Sequence, residues 1–207
     1  MLSSFPYSAM QMTADEVETI LNILHQLEQR HHASFKMDLE FSFKSFSLFQ
    51  NYVNVEMGPV IDLSGENQIY LSFPHLSYIL PSASRHYVPP RWEYQSWGIL
   101  SLRKNFGHIL LQTETLWDKA RELIHPIEID FENDPEFSKR FYVLAGTEND
   151  AWSFFSSAIR DCFKKYWSSD FILEISNDYL VVGNKKTINL ESALMMGEFL
   201  VCLSGVR

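Results

Sequence analysis

Three groups of side chains stand at spacings that could carry chemistry. His25, Glu28 and His32 fall at i, i+3 and i+7, on one face of a helix, and such a set could share a metal ion. No H-E-x-x-H pattern accompanies them and no second ligand cluster is marked, so no metal is expected. His31 and His32 also end the helical pattern, where positive charge suits the helix dipole. Glu128, Asp130 and Glu132 place three carboxylates on one strand face, followed by Asp134 and Glu136. They could attract a cation or a basic partner, but Lys139 and Arg140 on neighbouring elements make a solvated, cross-paired face the simpler expectation. Nucleophile motifs are missing: there is no G-x-S-x-G, no G-x-x-x-x-G-K-[ST] and no G-x-G-x-x-G. Cys162 lies on a helical pattern with no histidine beside it. No cofactor is expected.

The third group is the segment from Pro74 to Ser96. It shows no clear periodicity and holds Pro74, Pro81, Pro89 and Pro90, four of the eight prolines in the chain. Long irregular stretches inside compact domains are uncommon and often carry function. This one concentrates Tyr78, Arg85, His86, Tyr87, Arg91, Trp92 and Tyr94, and aromatic rings with arginine are the residues that dominate binding hot spots. These seven are the candidate binding residues. The alternative is a loop folded over a sheet, its rings covering the core.

Composition narrows the classes. The 207 residues carry 17 Lys and Arg against 26 Asp and Glu, a net charge of −9, with 46% hydrophobic and 14% aromatic residues. That much apolar surface excludes a disordered chain. The acidic balance argues against nucleic-acid binding, which relies on clustered Lys and Arg. The longest apolar runs, Phe141–Ala145 and Phe199–Leu203, are far short of the roughly 20 residues that span a bilayer, so no membrane is expected. The opening residues MLSSFPYSAM lack the basic and apolar parts of a secretory signal. Cys162 and Cys202 do not make a disulfide framework, and a reducing cytoplasm is the default location.

The elements that must position these groups alternate in period. Thr13 and Glu16 form a capping box for a helix over residues 14–32, with Val17, Ile20, Leu21, Leu24 and Leu27 on one stripe. Met37, Leu39, Phe41 and Phe43 alternate with polar residues and predict a strand, as do residues 53–57 and 69–73. Residues 97–102 and 108–113 read as a hairpin around Lys104-Asn105-Phe106-Gly107. A short helix over 116–124, strands over 127–131 and 141–144, and a helix over 150–167 follow. A hairpin turning at Asn177-Asp178 and a buried helix over 190–203 end the pattern. The expected class is α+β: largely antiparallel sheet, an N-terminal amphipathic helix, a central short helix and two C-terminal helices. One domain over 1–207 is expected, with 1–131 and 137–207 as subdomains if Glu132–Glu136 divides it.

Phe137-Ser138-Lys139-Arg140-Phe141-Tyr142-Val143 follows an acidic Asp130-Phe131-Glu132 segment and precedes a turn with Asp150-Ala151. This F-x-[KR]-R-F-x-V strand–turn–helix signature resembles a family of uncharacterised bacterial proteins that carry a domain of unknown function. The resemblance covers about residues 97–183. It implies the fold grammar and a bacterial origin, and no activity; many members of that family carry membrane helices near the N-terminus, and this chain has none.

The reading that results is a non-catalytic module that binds another protein, or a ligand, through segment 74–96. An acidic inhibitor or immunity-type protein facing a basic partner is one version. A hydrolase using His75 or His86 beside a carboxylate is the rival, and a structural subunit of a larger assembly is a third.

Overall fold

In the computed structural model the described residues are 5, 11–63, 68–79, 89–113, 126–167 and 170–206. Helix α1, Ala14–His31, starts at the expected capping box: Thr13 Oγ1 accepts from Glu16 N, and Glu16 Oε2 accepts from Thr13 N at 2.7 Å. It buries Val17, Ile20, Ile23 and Leu27, with Leu24 packed beside them. His32 caps its end in the left-handed conformation. His25, Glu28 and His32 are all exposed, and no group of three metal-binding side chains gathers among the described residues.

Strand β1 is Ser34–Phe35. The strand expected over Met37–Phe43 does not form; the chain is irregular there and then makes two 3-10 turns, Phe43–Ser45 and Ser47–Phe49. A second period competes with the alternation. Phe43, Phe46 and Phe49 recur every third residue, the repeat of a 3-10 helix, and all three are buried. Phe41 joins them at 5.0 Å from the Phe43 ring.

Strands β2 (Asn54–Glu56), β3 (Val60–Asp62), β4 (Ile69–Ser72), β5 (His75–Tyr78), β6 (Arg91–Ser101), β7 (His108–Thr113) and β8 (Ile127–Glu128) follow. The short helix expected over 116–124 lies outside the described residues. Next come α2 (Pro135–Arg140) and β9 (Phe141–Ala145). The F-x-[KR]-R-F-x-V stretch is therefore helix first and strand second. Asp134 accepts from Phe137 N as the cap, and Pro135 occupies the first turn, where its missing N–H costs nothing.

The helix expected over 150–167 is two: α3, Glu148–Phe154, and α4, Ser157–Tyr166. Ser156 breaks it by capping α4, and the break lets both Phe154 and Phe155 enter the core. The Phe155 carbonyl freed there accepts from Arg160 Nη1 at 2.6 Å. Strands β10 (Ile172–Ser176) and β11 (Tyr179–Thr187) form the expected hairpin, with Asn177 at φ 59°. Helix α5, Leu190–Gly205, closes the described order.

The fold is α+β, with an antiparallel sheet in the order β1-β3-β4-β6-β11-β10-β7-β9-β8, and β2 and β5 joined to it through β6. Here the expected hairpin of residues 97–102 and 108–113 fails. The β10–β11 hairpin inserts between β6 and β7, pairing Gly183 with Trp97 on one side and Ile175 with Ile109 on the other. Strands from before and after Glu132–Glu136 thus interleave in one sheet.

Neighbouring residues feed two cores on opposite faces of that sheet. Ile109, Leu111, Val143, Leu173 and Val182 belong to the core under α1, α4 and α5; Leu110, Leu144, Ile172 and Val181 belong to the one under the 3-10 turns. Cys162 of α4 and Cys202 of α5 are joined in a disulfide, which corrects the expectation of two separate thiols. The inference of a reducing compartment had rested on those thiols, and the bond removes that ground.

Candidate functional site

Segment 74–96 is not wholly irregular. Phe73-Pro74 interrupts one strand, and both parts of it, β4 and β5, pair with the long β6: Ile69–Ser72 with Trp97–Leu100, and His75–Tyr78 with Arg91–Tyr94. The N-terminal half of β6, β5 and the short edge strand β2 therefore make a three-stranded arm on the main sheet. Residues 80–88 lie beyond its described part, and Arg85, His86 and Tyr87 with them.

Cross-strand partners share a face, so the pairing sorts the arm's side chains into two sets. On one face, Tyr78 Oη donates to Glu93 Oε2 at 3.1 Å, and the Gln95 amide nitrogen donates to Glu93 Oε1. Gln95 Oε1 in turn accepts from Trp97 Nε1 at 3.0 Å and from Tyr52 Oη at 3.2 Å. Burial pushes the Tyr52 phenol up to about 12. Burial, with the Glu93 carboxylate beside it, raises Tyr78 as well. This face joins the core under the 3-10 turns through Leu76, Trp97 and Tyr52.

On the other face the His75 ring lies between Tyr94, at 4.3 Å, and Trp92, at 4.5 Å. Its Nδ1 stands 3.7 Å from Glu56 Oε2, beyond hydrogen-bond reach, and Glu56 is largely exposed. A general base needs a proton within roughly 3 Å and an orienting partner. His75 is packed between two rings. Tyr94 is 3% exposed and is the floor of the stack; burial, then Glu16 and Glu56, push its phenol up to about 12.

Trp92 is 43% exposed, and Ile79 and Val53 are 55% and 48% exposed at the same arm. Arg91 is exposed as well, but on the opposite face, across from Tyr78. Of the expected residues, the structure places Tyr78, Arg91, Trp92 and Tyr94 on one arm; only Arg91 and Trp92 are exposed. Sequence reasoning missed Tyr52, Glu93, Gln95 and Trp97, which hold the arm's inner face. For Glu93, Gln95 and Trp97 the signal was alternation within Trp92–Trp97, hidden because both faces carry aromatic and polar residues.

The acidic strand lines a cleft of about 420 Å³ formed with Phe131, Lys139 and Tyr142. Glu128, Asp130 and Glu132 are exposed, and Glu128 Oε2 accepts from Tyr142 Oη at 3.2 Å. Asp134 takes no part in binding outward: Arg160 Nε and Lys164 Nζ donate to it at 2.9 and 2.8 Å.

A buried carboxylate that the sequence pattern hid, Glu174, secures the 3-10 turns. It accepts from Ser47 N, Ser47 Oγ and Leu48 N at 2.8–3.0 Å, and lies 2.7 Å from His108 Nε2. Every lone pair that burial would strand has a partner. The clue was a single acidic residue inside Ile172-Leu173-Glu174-Ile175.

No helix among the described residues is long and apolar enough to cross a membrane. No family model matches the chain, and no curated protein matches it. Among solved structures, the crystal structure of the mycobacterial trehalose monomycolate transport factor A is similar, with a TM-score of 0.46 and 8% identity over 87% of this chain and 96% of that one.

Proposed function

We propose that the chain is a non-catalytic binding module whose contact surface is the arm of β2, β5 and β6, and that its partner is another protein. The observation that supports this is the exposure of Trp92, Ile79 and Val53 on a base that is itself tightly ordered. Large apolar side chains left in water are the usual anchors of an interface. The His75–Tyr94 stack and the Glu93–Gln95 network hold their strands in place before binding, which lowers the ordering cost of association. The net charge of −9 favours a basic partner, as an acidic inhibitor would meet.

The test is a comparison of partners recovered from native lysate by the wild-type chain, by Trp92→Ala/Ile79→Ser, and by Ile127→Ser. Ile127 is 43% exposed on β8, away from the arm, and serves as the control. The arm variant should lose a partner that wild type and the control both retain, and added salt should weaken that capture. Identical recovery by all three would remove the arm from the function.

A further inference from the structure

Helices α1, α2 and α4 end in basic side chains: Arg30 and His31, Lys139 and Arg140, Lys164 and Lys165. Such charges favour a helix C-terminus. Helix α5 has none, and its last turn carries Cys202, bonded to Cys162 on α4 across 40 residues of sequence. Ring packing runs alongside the bond, with Phe199 at 4.9 Å from Phe163 and 5.6 Å from Trp167. Further along, α5 lies so close to β6 that a Cβ on Gly98 would come 2.6 Å from Leu200 Cδ1. Its middle is thus fixed by packing, and its end by the covalent link together with the buried Leu203.

We infer that the Cys162–Cys202 bond is a redox clasp: oxidised, it holds the last turns of α5 on α4, and reduced, it releases that end while the sheet stays folded. Closing the clasp removes two electrons and two protons from the two thiols. A second disulfide accepts them by thiol–disulfide exchange and leaves as two thiols, and a dithiol reverses the step. Cys162 is 3% exposed and Cys202 half-buried, so exchange enters at the Cys202 sulfur. Disulfides persist in oxidising compartments, and the chain's full stability belongs to such a setting.

The intact chain, equilibrated with glutathione disulfide, denatured and treated with a maleimide, should gain no adduct by mass, and two adducts after reduction. Native-state hydrogen exchange with and without a phosphine reductant reads the local effect. On reduction, amides of 198–205 should lose at least roughly tenfold more protection than those of 172–183, which follow only the global loss of stability. The Tm should fall by something on the order of 10 °C, the change expected for opening a loop of this length. Cys162→Ala/Cys202→Ala should match the reduced chain and ignore reductant; the wild-type comparison decides the matter by itself if that variant does not fold. Two adducts without reduction, exchange that is unchanged, or exchange that accelerates uniformly across the sheet would each overturn the clasp.

Discussion

His75 and Tyr94 are direct cross-strand partners, and their rings lie 4.3 Å apart and 11° from parallel. The contact ties β5 to β6 beside the break at Phe73-Pro74 and sets the floor on which the Trp92 ring rests. Tyr94 is buried and Trp92 is not, so the two outer members of one stack have different roles.

That division predicts different costs for their removal. Tyr94→Ala should lower unfolding free energy by about 3 kcal/mol, as loss of a buried ring does. Trp92→Ala should cost about 1 kcal/mol or less, because much of its ring is already in water. Urea unfolding of the two variants checks this. Equal losses would make Trp92 part of the core and remove it as a contact residue.

Gly183 faces Trp97 across the β6–β11 pair, and a Cβ there would lie 2.4 Å from the indole carbons. The indole cannot swing away freely, since its Nε1 donates to Gln95. Gly183→Ala should therefore cost about 3 kcal/mol in chemical denaturation. Gly146→Ala, where the nearest atom to the new Cβ is 4.0 Å off, should stay within about 0.5 kcal/mol.

The fold was most legible where one local signal acted alone. The Thr13–Glu16 box starts α1, and Asn177-Asp178 turns β10 into β11, as their sequence patterns require. It was least legible where two signals competed. Phe41 and Phe43 fit a strand, but Phe43, Phe46 and Phe49 fit a period of three, and burial of all three rings decided the outcome. The false hairpin of β6 with β7 had a turn and two good strands; only the later β10–β11 hairpin, which satisfies both their edges, reveals that they are apart. No local pattern encodes such an insertion.

The site shows the same divide. Aromatic crowding in segment 74–96 pointed to Tyr78, Trp92 and Tyr94, and the structure does bring them onto one arm. Which of them faces water depends on register, and register there is set by His75 pairing with Tyr94, a long-range fact. Prolines at 74, 89 and 90 made the flanking strands look like loop, although Pro74 only breaks β4 from β5.

Acid should act at the α2–α4 junction. Burial alone would raise the Asp134 carboxyl, but hydrogen bonds from Lys164, Arg160 and the Phe137 N–H outweigh it and hold the group below the usual carboxylate range. A depressed folded pKa means the contribution is present above the unfolded value of about 3.9 and is lost as pH falls through the folded value. Glu198 behaves alike, with Arg30 and His31 outweighing its burial. Asp134→Asn should remove part of this acid dependence. It should also cost about 3 kcal/mol at neutral pH, because Arg160 is left 7% exposed and without its carboxylate. Unfolding free energies across the acid range test both statements, and an unaltered pH slope in the variant would contradict the first.

Base should act through phenols. Tyr52, Tyr94 and Tyr142 are each pushed up to about 12, by burial first and then, for Tyr94 and Tyr142, by nearby carboxylates. A raised folded pKa gives stability that is complete below the unfolded value of about 10 and lost as pH rises through the folded value, because the unfolded chain releases those protons earlier. Stability should therefore decline between pH of about 10 and 12. Ultraviolet titration of the folded chain should show phenols that stay protonated after the exposed ones have ionised. Glu128 accepts the Tyr142 hydroxyl proton at 3.2 Å, and its charge opposes a second negative charge there. Glu128→Gln should bring one late phenol down toward the ordinary value while the other two stay late. If all nine tyrosines ionise in one step near 10, neither the buried arm nor the Glu128–Tyr142 contact exists in solution.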